Sequence, residues 1–319
     1  MKPKISAIIC TLNRAKYLEK AINSLINQTI DPEFYEIIIV DNGSTDNTKN
    51  LVENLRNNEQ LCYIYEPIRG LSQARNTGWQ NARGEYIAFL DDDGLATVNW
   101  LEEIINTFEK TSPSPDACGG KIELIWETNR PSWIADSMLK PLGYFDYGDK
   151  SFSLDSGNQN IGGGNMAFKK NIPELIGYFN TNLGRKGSNL LSNDENDFFS
   201  RMRKKGLKLC YNPKIVALHH VTKNRTEKNW FLKRYYWQGK SNSILDLGKD
   251  DITKNNVLSK IITNLYNLLK ILIFRGYLII VNYSNEQKLF KNKCDIMSKL
   301  GYMIQCIEIF KNKLINKVV

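Results

Sequence analysis

Three consecutive carboxylates, Asp91, Asp92 and Asp93, close an apolar run at residues 85–90 (EYIAFL) and are followed by Gly94. Clustered carboxylate oxygens are hard ligands suited to Mg2+ or Mn2+, ions that keep some waters and complete their shell with substrate phosphates. The same residues would also serve as a solvated turn whose aspartates cap a helix. A calcium loop of the EF-hand type is excluded, because its fifth position must be acidic or Asn and its sixth Gly, and Leu95 and Ala96 stand there. Asp41 ends a second apolar run, 36–40 (EIIIV), where its carboxylate could accept hydrogen bonds from a nucleobase or ribose. Arg69 and Arg75 lie in RGLSQARNTG, 69–78. Carboxylates for a metal beside guanidinium groups for a diphosphate describe a nucleoside-diphosphate site.

A second acidic cluster, Asp194-Glu195-Asn196-Asp197, opens a helical pattern. Asp197 precedes Arg201 by four residues, the spacing of an ion pair on one helix face, so its expected role is structural. His219 and His220 are the only histidines. A buried neutral imidazole is the plain alternative to a functional role for either.

These residues need a frame, and the periodicity supplies one. Strands are expected at 4–10, 36–40, 62–66 and 85–90, alternating with helices over 18–26, from Asp46 to about Arg56, and over 72–81. Such alternation predicts an α/β fold with an open, doubly wound, mostly parallel central sheet, and ligands in such sheets bind beyond the carboxyl ends of the strands. The stretch 117–171 is less regular and rich in Gly and aromatics; strand-like segments follow at 208–211 and 215–218, either side of Pro213. Beyond about 224 the chain turns Lys-, Asn- and Ile-rich. Ile261, Leu265, Leu268, Leu272 and Ile279 are expected on one helix face, and Leu289, Ile296, Leu300, Met303, Ile307 and Phe310 on another.

The 319 residues, 42% apolar and 24% charged, suffice for a real core and exclude disorder, a disulfide miniprotein and a fibrous repeat. The net charge of +9 is uneven: residues 1–200 hold 19 Lys+Arg and 27 Asp+Glu, a balance of −8, and residues 201–319 hold 24 and 7, a balance of +17. This asymmetry points to an anionic partner: a phosphorylated ligand, a nucleic acid or a membrane surface. Six scattered cysteines without a C-x-x-C pair read as reduced core residues of a cytoplasmic protein. The start, MKPKISAIICTLNR, does not read as a secretory signal, and no run of 18 uncharged apolar residues predicts a spanning helix.

Taken together, TLNR (11–14), VDNGSTD (40–46), RGLSQARNTG (69–78), GEYIAFLDDD (84–93), GGGNMAF (162–168), DENDFFSRM (194–202) and PKIVALHH (213–220) resemble glycosyltransferase family 2. The resemblance covers about residues 4–243 and implies the GT-A nucleotide-sugar-binding fold. It implies a catalytic domain at 1–243, divided into a nucleotide-binding half (1–116) and an acceptor and catalytic-base half (117–243), with a basic helical region at 244–319. It further implies that Thr11, Asn13, Arg14 and Asp41 hold the nucleoside, with Arg69 and Arg75 near the diphosphate and Gly164 and Asn165 at the donor. Asp91, Asp92 and Asp93 match the family's D-x-D region, with Asp92 near the ribose and Asp93 the direct ligand of Mn2+ or Mg2+. His219 matches a late histidine approaching the metal or diphosphate, with His220 as the alternative. Glu195 matches the catalytic base, although Asp is more usual there and Asp194 is the alternative.

The implied reaction is a single inverting displacement at the anomeric carbon, from a nucleoside-diphosphate sugar, a UDP-sugar foremost, to a saccharide or lipid-linked acceptor in surface polysaccharide or glycoconjugate biosynthesis. Residues 230–241 mix aromatics with cations. That could stack nucleic-acid bases, but the resemblance makes it a segment closing over the donor, since nucleic-acid binding leaves the Asp-rich edge unexplained. A sugar nucleotidyltransferase would carry a Gly-rich, Lys-containing loop after the first strand, and TLNRAKYLEK has no glycine. The amphipathic stretches in 255–319 are expected to pack on the protein or a second copy of it, or to rest on the inner face of an anionic membrane.

Overall fold

The computed structural model describes residues 2–55, 59–154, 159–247, 254–280 and 285–315. In chain order the elements are β1 (Ile5–Thr11), α1 (Ala15–Ile26), β2 (Tyr35–Asp41), α2 (Thr48–Asn54), β3 (Leu61–Tyr65), α3 (Leu71–Asn81), β4 (Tyr86–Asp91) and β5 (Gly94–Ala96). There follow α4 (Trp100–Lys110), β6 (Ala117–Trp126), β7 (Phe152–Ser153), β8 (Asn165–Lys169), α5 (Ile172–Ile176), α6 (Asp194–Lys204) and β9 (Leu209–Val221). Helices α7 (Lys228–Leu247), α8 (Lys254–Ile280) and α9 (Glu286–Ile315) complete the described elements.

The chain divides into two compact units: Met1–Ile125 with Gly143–Thr181 and Asp194–His220, and Trp126–Leu142 with Asn182–Asn193 and Val221–Val319. The first unit is built on the sheet, ordered β3-β2-β1-β4-β8-β6-β9-β5, with β7 on β9. The four strands from β3 to β4 are parallel, and β8 is added antiparallel to β4. Every residue of β2 is buried, as a strand covered on both faces requires. Alternate residues of β1 divide between two apolar layers: Ile5, Ala7 and Ile9 meet Leu18, Ala21, Ile22 and Leu25 of α1, and Ile8 meets Ala74 and Trp79 of α3. The register sets Thr11 opposite Asp41 and Cys10 opposite Asp91, so three strand ends reach one edge together.

Several details depart from the sequence expectation. Helix α2 ends at Asn54, and Arg56 lies outside the described residues. The two strand segments around Pro213 form one strand, β9, and beside the proline Asn212 Oδ1 accepts the Lys214 N–H at 3.0 Å. Four cysteines are buried, but Cys62 is exposed and Cys10 half-buried.

In the second unit α7 and α9 meet backbone to backbone. A Cβ on Gly239 would fall 1.9 Å from the Ser298 carbonyl oxygen, and one on Gly301 2.0 Å from that of Tyr236. Trp133 packs edge-on against Phe231 and Phe290 with ring centroids 5.1 and 4.7 Å away. The expected face of α8 is corrected: Leu268 is buried and Ile261 packs inward, whereas Leu265 and Leu272 are exposed. At 100° per residue, Leu265 stands about 40° from Ile261 and Leu272 about 40° from Leu268, both displaced toward the same side of the helix. The side chain of Ile279 lies outside the described residues.

Candidate active site

The loops after β1 and β2 are tied together. Asn13, with φ of +55°, accepts the Thr45 N–H at 2.7 Å on its side-chain oxygen and donates its own N–H to Ser44 Oγ at 2.9 Å. Asp46 caps both neighbouring helices, accepting from Ala15 N at 3.1 Å and from Thr48 N at 3.1 Å. Asp41 is buried and already engaged, accepting the Ser44 N–H at 2.8 Å and the Tyr63 hydroxyl at 2.7 Å. Burial and this bond to Asp41 hold the Tyr63 phenol above its ordinary range. Arg69 is exposed beside Gly43, whose carbonyl accepts from Nη2 at 3.4 Å.

The triplet at the end of β4 divides its carboxylates among three directions. Asp92 turns inward, accepting from Thr11 Oγ1 at 2.9 Å with Arg14 Nε at 3.3 Å. Burial, opposed by Arg14, pushes its carboxyl up to about 6. Asp93 Oδ2 pairs with Arg14 Nη2 at 2.6 Å, and its Oδ1 lies 3.3 Å from His219 Nε2. Asp91 is the most open of the three, at 39% side-chain exposure. The chain passes close beside it at Gly164, where a Cβ would stand 2.5 Å from Asp91 Oδ2 and oblige that carboxylate to shift. His219 reaches the triplet because β9 pairs with β5, setting His219 opposite Gly94 while His220 N donates to the Asp93 carbonyl at 3.0 Å. His220 stands instead beside Tyr17, ring centroids 5.9 Å apart.

Asp91, Asp93 and His219 each offer one ligand atom, all three within 4.8 Å of one another. The His219–Asp93 separation is near the roughly 3 Å between adjacent ligands on a small octahedral cation. Two carboxylates and an imidazole, with room on the Asp91 side, form a donor set that fits a divalent cation.

On the far side of Gly163, Arg75 is buried and meets three acceptors. Nη1 pairs with Asp194, Nη2 donates to the Gly163 carbonyl at 2.9 Å, and Nη2 lies 3.9 Å from Asp91 Oδ1. Its guanidinium also sits 5.7 Å from the ring centroids of Phe89 and Phe179. Asp194 is therefore buried and clamped, whereas Glu195 is half-buried, accepts a 3.3 Å bond from Asn196 Nδ2 and shares a side-chain hydrogen bond with Asp194. Burial and the neighbouring Asp194 charge raise the Glu195 carboxyl to about 8. Asp197 makes the i,i+4 pair with Arg201 at 2.9 Å.

The structure thus gathers Thr11, Arg14, Asp91, Asp92, Asp93, His219, Arg75, Asp194 and Glu195 into one linked edge. Asn165 is turned away from it: its amide accepts from Trp100 Nε1 at 2.8 Å and donates to the Lys121 and Ile215 carbonyls at 2.8 and 2.9 Å. Two contributors escaped the sequence reading. Tyr17 lies under Arg14, 5.1 Å from guanidinium to centroid, and the three-residue spacing on α1 could have shown it. Tyr63 reaches Asp41 from a neighbouring strand, which no local spacing announces.

A mannosyltransferase from Pyrobaculum calidifontis, solved in complex with GDP-Man and Mn2+, superposes with a TM-score of 0.63 at 16% identity over 95% of this chain and 88% of that one. The fold is GT-A, an α/β architecture here carrying a helical C-terminal region. Residues 6–176 match Glycosyl transferase family 2, and the chain belongs to that family of glycosyltransferases. A glucosyl-dolichyl phosphate glucuronosyltransferase from Haloferax volcanii is 26% identical over 278 residues, 84% of this chain and 87% of the relative. The succinoglycan biosynthesis protein ExoM of Rhizobium meliloti is 25% identical over 242 residues, 74% and 73% of the two chains.

Proposed function

We propose that the chain is a metal-dependent inverting glycosyltransferase that moves a sugar from a nucleoside-diphosphate donor, a UDP-sugar foremost, to a saccharide or lipid-linked acceptor of a surface polysaccharide or glycoconjugate. The observation that carries this reading is the convergence of the Asp91, Asp93 and His219 ligand atoms at the same edge as Glu195, with Arg75 between them. A lipid-linked acceptor fits the relative named for a dolichyl phosphate glycolipid, and a saccharide acceptor fits the one named for succinoglycan.

On this reading Asp41, Thr11, Asn13 and Arg14 shape the nucleoside end, and Asp92 supports the ribose while holding Arg14 in place. Asp91, Asp93 and His219 hold the cation, and the imidazole in an otherwise hard set favours Mn2+ over Mg2+. When bound, the ion neutralises charge developing on the departing diphosphate. Arg69 and Arg75 add positive charge on the diphosphate side. Glu195 takes the acceptor hydroxyl proton as the oxygen attacks the anomeric carbon; the bond from that carbon to the phosphate oxygen breaks, and the nucleoside diphosphate leaves with the electron pair. One displacement inverts the centre. A carboxylate raised toward neutral pH is the stronger proton acceptor once ionised.

Residues 1–116 would then supply the donor half and 117–243 the acceptor and base half of the catalytic domain, with 244–319 appended. Reduced cysteines fit a cytoplasmic setting. The test is a panel of nucleoside-diphosphate sugars assayed for nucleoside diphosphate release with and without Mn2+. Metal-dependent release from at least one donor is expected, and none from any donor would overturn the reading.

A further inference from the structure

Helix α8 carries a second apolar face that its own unit leaves open. Val257, Asn264 and Leu268 are buried, and Ile261 packs with them. Leu258, Ile262, Leu265, Tyr266, Leu269 and Ile273 stand between 47% and 73% exposed. At 100° per residue these six fall within a band about 100° wide, centred about 120° from the packed face. Exposed apolar residues scattered singly are ordinary, but six in one continuous stripe mark a surface meant for a partner.

The charge pattern says which partner. Lys254–Ile280 contains Lys254, Lys260, Lys270 and Arg275 and no Asp or Glu. Lys270 Nζ lies 4.4 Å from the Tyr266 ring centroid, so a cation borders the apolar band with its stem alongside. An apolar stripe on a helix whose charged residues are all cations, with Lys270 at its border, matches the phosphate-over-acyl layering of an anionic bilayer surface. A second copy of the same helix would instead set these cations against one another. Among the described residues no helix is long and apolar enough to cross a membrane.

We propose that α8 is an in-plane membrane anchor for anionic phospholipid, with the Leu258 to Ile273 stripe among the acyl chains and Lys270 at the phosphates. This goes beyond the transferase reading and does not depend on it. The test is co-sedimentation of the full chain with phosphatidylcholine vesicles made with or without phosphatidylglycerol. The chain should sediment with the anionic vesicles, less at high salt, and remain in solution with the neutral ones. Leu269→Glu should lower partitioning at least tenfold and Lys270→Gln about fivefold, both with unchanged far-UV circular dichroism and unchanged donor turnover. Sedimentation of Leu269→Glu equal to wild type would overturn the proposal. So would a lipid-free dimer that Leu269→Glu dissociates, which would assign the stripe to a second copy.

Discussion

Arg75 Nη1 pairs with Asp194 while Nη2 faces Asp91, so one buried guanidinium links the proposed metal ligands to the proposed base. Removing either member of the buried Arg75–Asp194 pair strands the other charge, at a cost of about 3–5 kcal/mol. Asp194→Asn should therefore lower the melting temperature markedly, whereas Glu195→Gln should not, which a thermal melt of both variants checks. Glu195→Gln should keep donor binding and reduce transfer about 100-fold or more; full activity would move the base to Asp194 or elsewhere. The pH dependence follows from the same residue. Its carboxyl is raised to about 8, so transfer at subsaturating acceptor should climb with pH and level off above that value. The fold favours the protonated form of Glu195. That contribution is full below the ordinary value of 4.5 and is lost as pH rises through about 8. Glu195→Gln should thus melt higher than wild type at pH 9 and near it at pH 4.5.

At the level of elements, backbone approach decides more than side-chain identity. Gly239→Ala would push α7 from α9, since the added methyl lands 1.9 Å from a carbonyl oxygen. A loss of about 1–3 kcal/mol is expected, read by urea denaturation, and Lys233→Ala, at an exposed position of the same helix, serves as a milder control. The elements that hold the carboxylates were legible because each strand is a continuous apolar run broken by polar residues: EIIIV stops at Asp41 and EYIAFL at Asp91. His219 was legible only as a motif. Its position opposite Gly94 comes from pairing between β5 and β9, strands far apart in the chain. Asn165 shows the opposite limit. Its place in GGGNMAF suggests a donor contact, but three partners from α4, β6 and β9 engage its amide inside the sheet. The division of α8 into buried and open apolar faces depended on where α9 lies, which periodicity alone does not say.

For the molecule as a whole, the charge asymmetry of the chain now has an address. The acidic first 200 residues hold Asp91, Asp93, Asp194 and Glu195, the carboxylates of the proposed site, and the basic remainder includes the acid-free helix α8. Ligand binding to the folded chain alone must stabilise it: a cation at a hundredfold excess over its dissociation constant adds about 2.7 kcal/mol. Mn2+ with a nucleoside diphosphate should raise the melting temperature of wild type and raise that of Asp93→Asn by about half as much or less. The most direct measurement is a calorimetric titration of UDP and GDP into wild type and Asp93→Asn, each with Mn2+ and with a chelator. Binding by wild type only with Mn2+, weakened at least tenfold in Asp93→Asn, is the predicted result. Equal affinity with and without the metal, or no binding of either nucleotide, would contradict a metal-assisted transferase site at this edge.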